Sequence, residues 1–197
     1  MEGRGARSEG NSNILLGDHN YSLTNLPPPS LPFPALLTLQ SLLSNFPSPP
    51  SVSFCHNDLL SANIMRSTST GSIKLIDFEY GGTNFCCFDI ANHFNEFAGG
   101  TDNAKPDYGL LPDEGFKRDF ITEYVNEMVK GGEGDNEEGK VGNNSEIVET
   151  LMGQVGVFEQ LNHCYWGLWG VNQAKTEGCG EFDYLMYAKA RFGQLEG

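Results

Sequence analysis

Apolar positions divide the chain into two regimes, short alternating runs before residue 80 and long helical stripes after it. Val52 and Phe54 lead as a strand into His56-Asn57-Asp58. Ile64 and Met65 make a second short strand, Ser67 to Ser72 with Gly71 supply turn chemistry, and Ile73, Leu75 and Ile76 return as a third strand ending at Asp77. Upstream, Leu36, Leu39 and Leu43 recur at helical spacing over Ala35–Asn45, between prolines that stop a helix at both ends. Downstream, Gly81-Gly82 turn the chain and Phe85 to Phe88 form an apolar link. Asp89 is the expected N-cap of a helix ending at Gly99-Gly100, with Ile90, Phe94 and Phe97 facing the core. Asp113 to Met128 predicts an amphipathic helix, with Phe116, Phe120, Ile121, Tyr124, Val125 and Met128 on one side. A long helix is expected from near Ser145, and Gly178-Cys179-Gly180 turn it back against a last one.

The hairpin places chemistry at its ends. His56, Asp58 and Asn63 stand in an H-x-D-x-x-x-x-N spacing, and Asp77-Phe78-Glu79 follows the return strand. That is the residue set of a phosphoryl-transfer site, which needs an aligned nucleophile and neutralised phosphate charge more than covalent help. Asp58 would accept the proton or hydrogen bond of an attacking hydroxyl, with His56 beside it. Asn63 offers a neutral carbonyl oxygen and Asp77 a carboxylate, both suited to Mg²⁺. A lone H-x-D reads more simply as a cap and a core histidine; the full set on strand, loop and strand overrides that reading.

Composition narrows the class without changing this picture. The 197 residues are 39% hydrophobic, enough for one core or one lobe of a larger core. A net charge of −14 makes nucleic acid and anionic membrane poor partners. Five scattered cysteines without a C-x-x-C spacing read as reduced thiols of a cytoplasmic protein, and no apolar run reaches the length of a bilayer span. Residues 1–30, rich in Gly, Ser and Asn, read as a disordered leader; residues 31–197 read as one lobe, interrupted at 131–144 by an acidic, Gly-rich surface loop.

The carboxyl-terminal helices carry two aromatic pairs, Trp166 with Trp169 and Tyr184 with Tyr187, each three residues apart and so on one helix face. Four rings on facing helices could wall a pocket for a small cation, with Glu96 adding charge. From spacing alone, ordinary core packing explains such stripes as well, and Glu96 reads equally as a solvated side chain.

At these residues the chain resembles the choline/ethanolamine kinase family. The matching stretches are FCHNDLLSANIM, LIDFEYGGTNFCCFDIANHFNEFAG, DEGFKRDFITEYV and CYWGLWGVNQAK with FDYLMYAKARF. The resemblance implies an α+β, protein-kinase-like large (C-terminal) lobe, mostly helical with a short catalytic-loop hairpin. It implies ATP and Mg²⁺ as cofactors, and phosphorylation of ethanolamine to phosphoethanolamine at the start of phosphatidylethanolamine synthesis. Asp58 becomes the catalytic base, Asn63 and Asp77 the metal ligands, and Glu79 a support of the metal site. Glu96, Trp166, Trp169, Tyr184 and Tyr187 fall where the family keeps its ammonium pocket. NEFAGGTDN follows the ethanolamine-kinase-like pattern, choline kinases tending to place further aromatics after the matching Glu; choline remains the alternative substrate.

Kinases of this family begin with a smaller lobe bearing a Gly-rich phosphate-covering loop and a strand lysine. No G-x-G-x-x-G and no V-A-I-K-like strand occurs in the 197 residues, which look like the large lobe alone. A non-catalytic lobe that binds an ammonium ligand, forms a homodimer or pairs with a full-length kinase is therefore a second reading beside the enzyme.

Overall fold

The computed structural model describes residues 48–131 and 140–196, with Ser41, Ser44 and Phe46 ahead of them. The expected leader, most of the Ala35–Asn45 helix and the centre of the acidic loop lie outside the described residues. Ser41 and Ser44, the two positions of that helix that are described, are helical.

Strands β1 (Val52–Cys55), β2 (Ile64–Arg66), β3 (Ile73–Leu75) and β4 (Gly82–Phe85) form two antiparallel ribbons, β1 with β4 and β2 with β3. Ile64 faces Leu75 and Arg66 faces Ile73; the Ile76 amide then donates to the Asn63 carbonyl, extending the pairing towards Asp77. The turn between them closes through the Ser67 amide on Ser72 and the Gly71 amide on Ser67, with Gly71 in the left-handed region that glycine adopts freely. The second ribbon was not foreseen: Gly82-Thr83-Asn84-Phe85 has no apolar alternation and pairs because Val52 to Cys55 lies alongside.

Helix α1 (Cys86–Asn95) begins straight from β4, so Phe85 rather than Asp89 is its N-cap; Asp89 sits inside the first turn with its carboxylate employed elsewhere. Ile90 and Phe94 are buried, but Phe97 is exposed, because the helix tightens to a single 3₁₀ turn over Glu96–Ala98 and the period changes. Helix α2 (Glu114–Gly131) starts with the Phe116 amide on the Asp113 carboxylate. Ile121 and Val125 are fully buried, whereas Phe116 and Met128 at its two ends are exposed, since only the middle of α2 lies over the core. Helix α3 (Lys140–Glu177) starts earlier than Ser145 and runs for 38 residues, roughly 55 Å. Helix α4 (Tyr184–Phe192) folds back on it after Gly178, with the Asp183 carboxylate accepting from the Met186 amide as N-cap.

The core lies where α1 and α2 pack on α3. Val148, Leu151, Val155 and Phe158 recur every three or four residues along α3 and meet Phe88, Ile90, Phe94 and Ile121. A buried amide ladder continues the seam: Asn95 donates to Asn162 at 3.0 Å, and Asn162 and Trp166 both donate to Asn92 Oδ1 at 2.7 Å. Buried amides bonded in this way fix register where apolar contacts alone would let α3 slide, although Asn92 Nδ2 itself is buried without a hydrogen-bond partner. Trp166, at the end of this ladder, is set in place for the cleft described next.

Candidate active site

The loop after β1 is held by its neighbours before any ligand arrives. The Asp89 carboxylate, rising from the first turn of α1, accepts from the His56 amide at 2.7 Å and from the Asn57 amide at 2.6 Å. Asn57 takes a left-handed backbone, φ 67°, which asparagine tolerates better than most residues. Its side chain donates to the Tyr80 carbonyl and accepts from Asn84, both at 2.8 Å. His56 is buried, with Nε2 2.7 Å from the Ile76 carbonyl. That acceptor places the ring proton on Nε2, so Nδ1 accepts from the Asp58 amide at 3.3 Å. His56, expected at the catalytic step, has both ring nitrogens engaged with backbone and does not line the cleft; it joins the end of the hairpin to the Asp58 loop.

Asp58 and Asn63 meet directly. The Asn63 amide nitrogen donates to the Asp58 carbonyl at 2.9 Å and to its carboxylate at 3.2 Å, so Asn63 Oδ1 is the atom that could meet a cation. Burial, then the nearby Glu96 carboxylate, push Asp58 up to about 6, within reach of a group that accepts a proton near neutral pH. Asp77 stands at the hairpin's end with φ 63°, exposed, as is Glu79. Such a backbone in a non-glycine residue costs energy and turns the side chain away from the strand direction. Among the described residues no group of three His, Cys, Asp or Glu side chains is gathered to hold a metal by itself. An amide oxygen and exposed carboxylates instead match a hard cation that keeps water and phosphate oxygens in most positions, which is how Mg²⁺ sits on nucleotides.

Above Asp58 opens a cleft of about 290 Å³, lined by Asp58, Leu60, Glu79, Glu96 and Thr101 on one side. Its other wall is aromatic: Tyr80, Trp166, Trp169, Phe182, Tyr184 and Tyr187. The rings meet edge to face, Tyr80 to Trp166, Trp166 to Trp169 and Trp169 to Tyr184 all at 5.5 Å between centroids. Trp169 Nε1 donates to the Tyr80 hydroxyl at 3.1 Å. Aromatic rings lining a cleft are the residue type that attracts a cation to their faces.

Of the residues singled out in the sequence, Asp58, Glu79, Glu96, Trp166, Trp169, Tyr184 and Tyr187 share this cleft, and Asn63 is bonded to its floor. Asp77 lies outside the lining. The sequence reading missed Tyr80 and Phe182, which sit in loops where no period marks them, and Asp89 and Arg191, whose partners lie far along the chain.

Residues 35–196 match the family model described as choline/ethanolamine kinase. The chain belongs to the choline/ethanolamine kinase family. Ethanolamine kinase 1 of Mus musculus is 40% identical over 174 residues, covering 87% of this chain and 44% of that protein. A probable choline kinase 1 of Arabidopsis thaliana is 38% identical, covering 73% of this chain and 39% of that protein. The solved structure of a Plasmodium vivax ethanolamine kinase superposes with a TM-score of 0.65 at 30% identity, over 82% of this chain and 38% of that one. The fold is thus the protein-kinase-like one of this family, and the chain spans less than half the length of the curated relatives it matches. No helix among the described residues is long and apolar enough to cross a membrane.

Proposed function

We propose that this chain is the catalytic lobe of an ethanolamine kinase, in which Asp58 aligns the hydroxyl of an amino alcohol for attack on the γ-phosphoryl of ATP. The observation that carries the reading is the joining of Asp58 and the aromatic wall in one cleft, so that an ammonium and a hydroxyl two carbons apart can be held together. The rings and Glu96 take the ammonium end. The Asp58 carboxylate accepts the hydroxyl proton as the oxygen attacks, its basicity raised by burial, and Asn63 keeps it in one orientation. ATP with Mg²⁺ supplies the phosphoryl group and the charge that neutralises it, and Asn63, Asp77 and Glu79 are the residues that would hold the metal. The named relatives support ethanolamine as substrate and a family-wide use of ATP.

The test is Asp58→Asn in this chain joined to the small lobe of a complete relative. Loss of the carboxylate is expected to lower ethanolamine phosphorylation by ~10²-fold or more with the fold retained. Activity within a few-fold of the parent would reject Asp58 as the base.

Choline is favoured as a second substrate by one observation. The cleft offers six rings rather than the four legible in the sequence, Tyr80 and Phe182 being the additions. A trimethylammonium head needs ring faces, whereas a primary ammonium needs acceptors for its N–H groups. Competition between the two alcohols measures the preference, and better turnover of choline would reverse the assignment.

A further inference from the structure

Glu96 is not a free carboxylate facing the cleft. Its Oε1 accepts from Arg191 Nη2 of α4, ninety-five residues away, in an ion pair whose side chains are 6% and 1% exposed. The same guanidinium donates through Nε to the Tyr187 hydroxyl at 3.0 Å and lies over the Tyr187 ring, 5.1 Å from its centroid. A third edge meets His163 Nδ1 at 3.4 Å. Burial and the cation beside it keep His163 neutral, down to about 3, so it accepts rather than repels. One rigid fork thus spends its donors on two cleft residues and on α3. We propose that Arg191 is a positioning residue of the ammonium cleft, presenting Glu96 and Tyr187 as one preset unit whose carboxylate meets a cation through its second oxygen while already half of an ion pair. This rests on the amino-alcohol reading above.

Arg191 reaches Glu96, Tyr187 and His163 from three separate nitrogens of one plane; an ammonium in the same place has the charge and three donors, but on a single atom without the fork. Arg191→Lys therefore separates geometry from charge. The two tryptophans of the chain both line the cleft, so their fluorescence reports ligand directly, without nucleotide or turnover.

The experiment titrates the full chain with choline, ethanolamine and uncharged 3,3-dimethyl-1-butanol, following tryptophan emission, with thermal unfolding measured on each variant. Arg191→Lys is expected to weaken choline binding roughly 10-fold, the scale of losing one well-packed anchor. It should weaken the neutral alcohol far less. Glu96→Gln should also weaken choline, and the double variant should be no weaker than Arg191→Lys, because one acts through the other. Additive losses, or wild-type affinity in Arg191→Lys, would overturn the proposal while leaving the amino-alcohol reading intact. Absence of any response to either choline or ethanolamine in the wild-type chain would overturn that reading and this one together. If Arg191→Lys does not fold, Glu96→Asp keeps the charge and withdraws it by one methylene from the fork. The same ~10-fold loss is then expected, and unchanged affinity would sink the proposal.

Discussion

His163 and Asp89 show how single residues far from the reacting atoms set the site. His163 is neutral in the fold, its proton affinity lowered from the ordinary value of 6.5 to about 3, first by burial and then by Arg191. An unfolded chain protonates this side chain below about pH 6.5. The stability it permits is therefore present above that pH and is lost as the pH falls towards 3. At pH 5.5 the loss is about 1 kcal/mol, or some 2–4 °C in Tm for a chain of this size. Replacing His163 with Asn, whose amide oxygen can still accept from Arg191, should flatten that part of the Tm profile by about this amount. Asp58 titrates with the opposite sign, gaining stability as the pH falls, but it is common to both chains and cancels in the difference. An unchanged profile in His163→Asn would show that this histidine is not held neutral. At Asp89, one carboxylate satisfies two loop amides, and an Asn can accept from only one while turning an N–H towards the other. Asp89→Asn is expected to lose roughly 2–3 kcal/mol in urea denaturation. A midpoint equal to the parent's would mean the loop holds its shape without that carboxylate.

Among the elements, α3 and α4 make the cleft wall, and two glycines of α3 test how closely they meet. A Cβ on Gly170 would lie 2.9 Å from the Tyr184 carbonyl and 3.2 Å from Ala188 Cβ, backbone and neighbour that cannot swing aside. Gly170→Ala should therefore push α4 outward, at about 1–3 kcal/mol, and weaken choline binding, since Tyr184 and Tyr187 move with it. A Cβ on Gly153 meets nothing within 4 Å. Gly153→Ala should stabilise the chain by about 0.4–1 kcal/mol, as the unfolded state loses freedom it no longer has to surrender. Denaturant midpoints of the two variants moving in the same direction would contradict the packing described for this pair. The element boundaries carry a related lesson. α2 and the end of α1 show a helical stripe in sequence, yet Phe97, Phe116 and Met128 on those stripes are exposed. Period says which residues share a face, and only the neighbouring element decides how much of that face is covered.

At the scale of the whole molecule, the strand side of the lobe is bare. Val52 and Phe54 on β1, and Ile73 and Leu75 on β3, are large apolar residues exposed to solvent, Phe54 to 68%. Isolated exposed apolar residues are ordinary, but here they come in pairs along a strand of each ribbon, and exposed apolar strands drive association. No G-x-G-x-x-G spacing occurs in the 197 residues, and no Lys or Arg among the described residues lines the cleft to meet ATP phosphates. The chain by itself is accordingly expected to self-associate and to phosphorylate ethanolamine well below ordinary kinase rates of ~1–100 s⁻¹. Val52→Thr with Ile73→Thr should reduce that association in sedimentation while keeping strand propensity, with stability changed by no more than ~0.5 kcal/mol. Joining a small lobe should restore phosphoryl transfer. Turnover at ordinary rates by the bare chain would show that phosphate is held by residues not identified as doing so.

The sequence by itself determined the parts of this protein that follow from local rules. Alternation and turn chemistry place the β2–β3 hairpin, and the spacing from His56 to Asp77 sets the candidate site residues at its ends. Three-residue spacing puts Trp166 with Trp169, and Tyr184 with Tyr187, on single helix faces, and Gly178 turns those faces together. Tertiary structure decided the rest. Asp89 reads as a cap until β4 runs directly into α1 and hands its carboxylate to a loop more than thirty residues away. Tyr80 and Phe182 join the cleft from irregular segments, where there is no period to detect. Glu96 looks like a solvated or cleft-facing acid, and it is the return of α4 that buries it against Arg191. Periodicity reports which residues of one element share a side; it carries no information on which distant element will lie there. The pairing of charges across ninety-five residues is settled only when both helices are packed and water has been excluded between them.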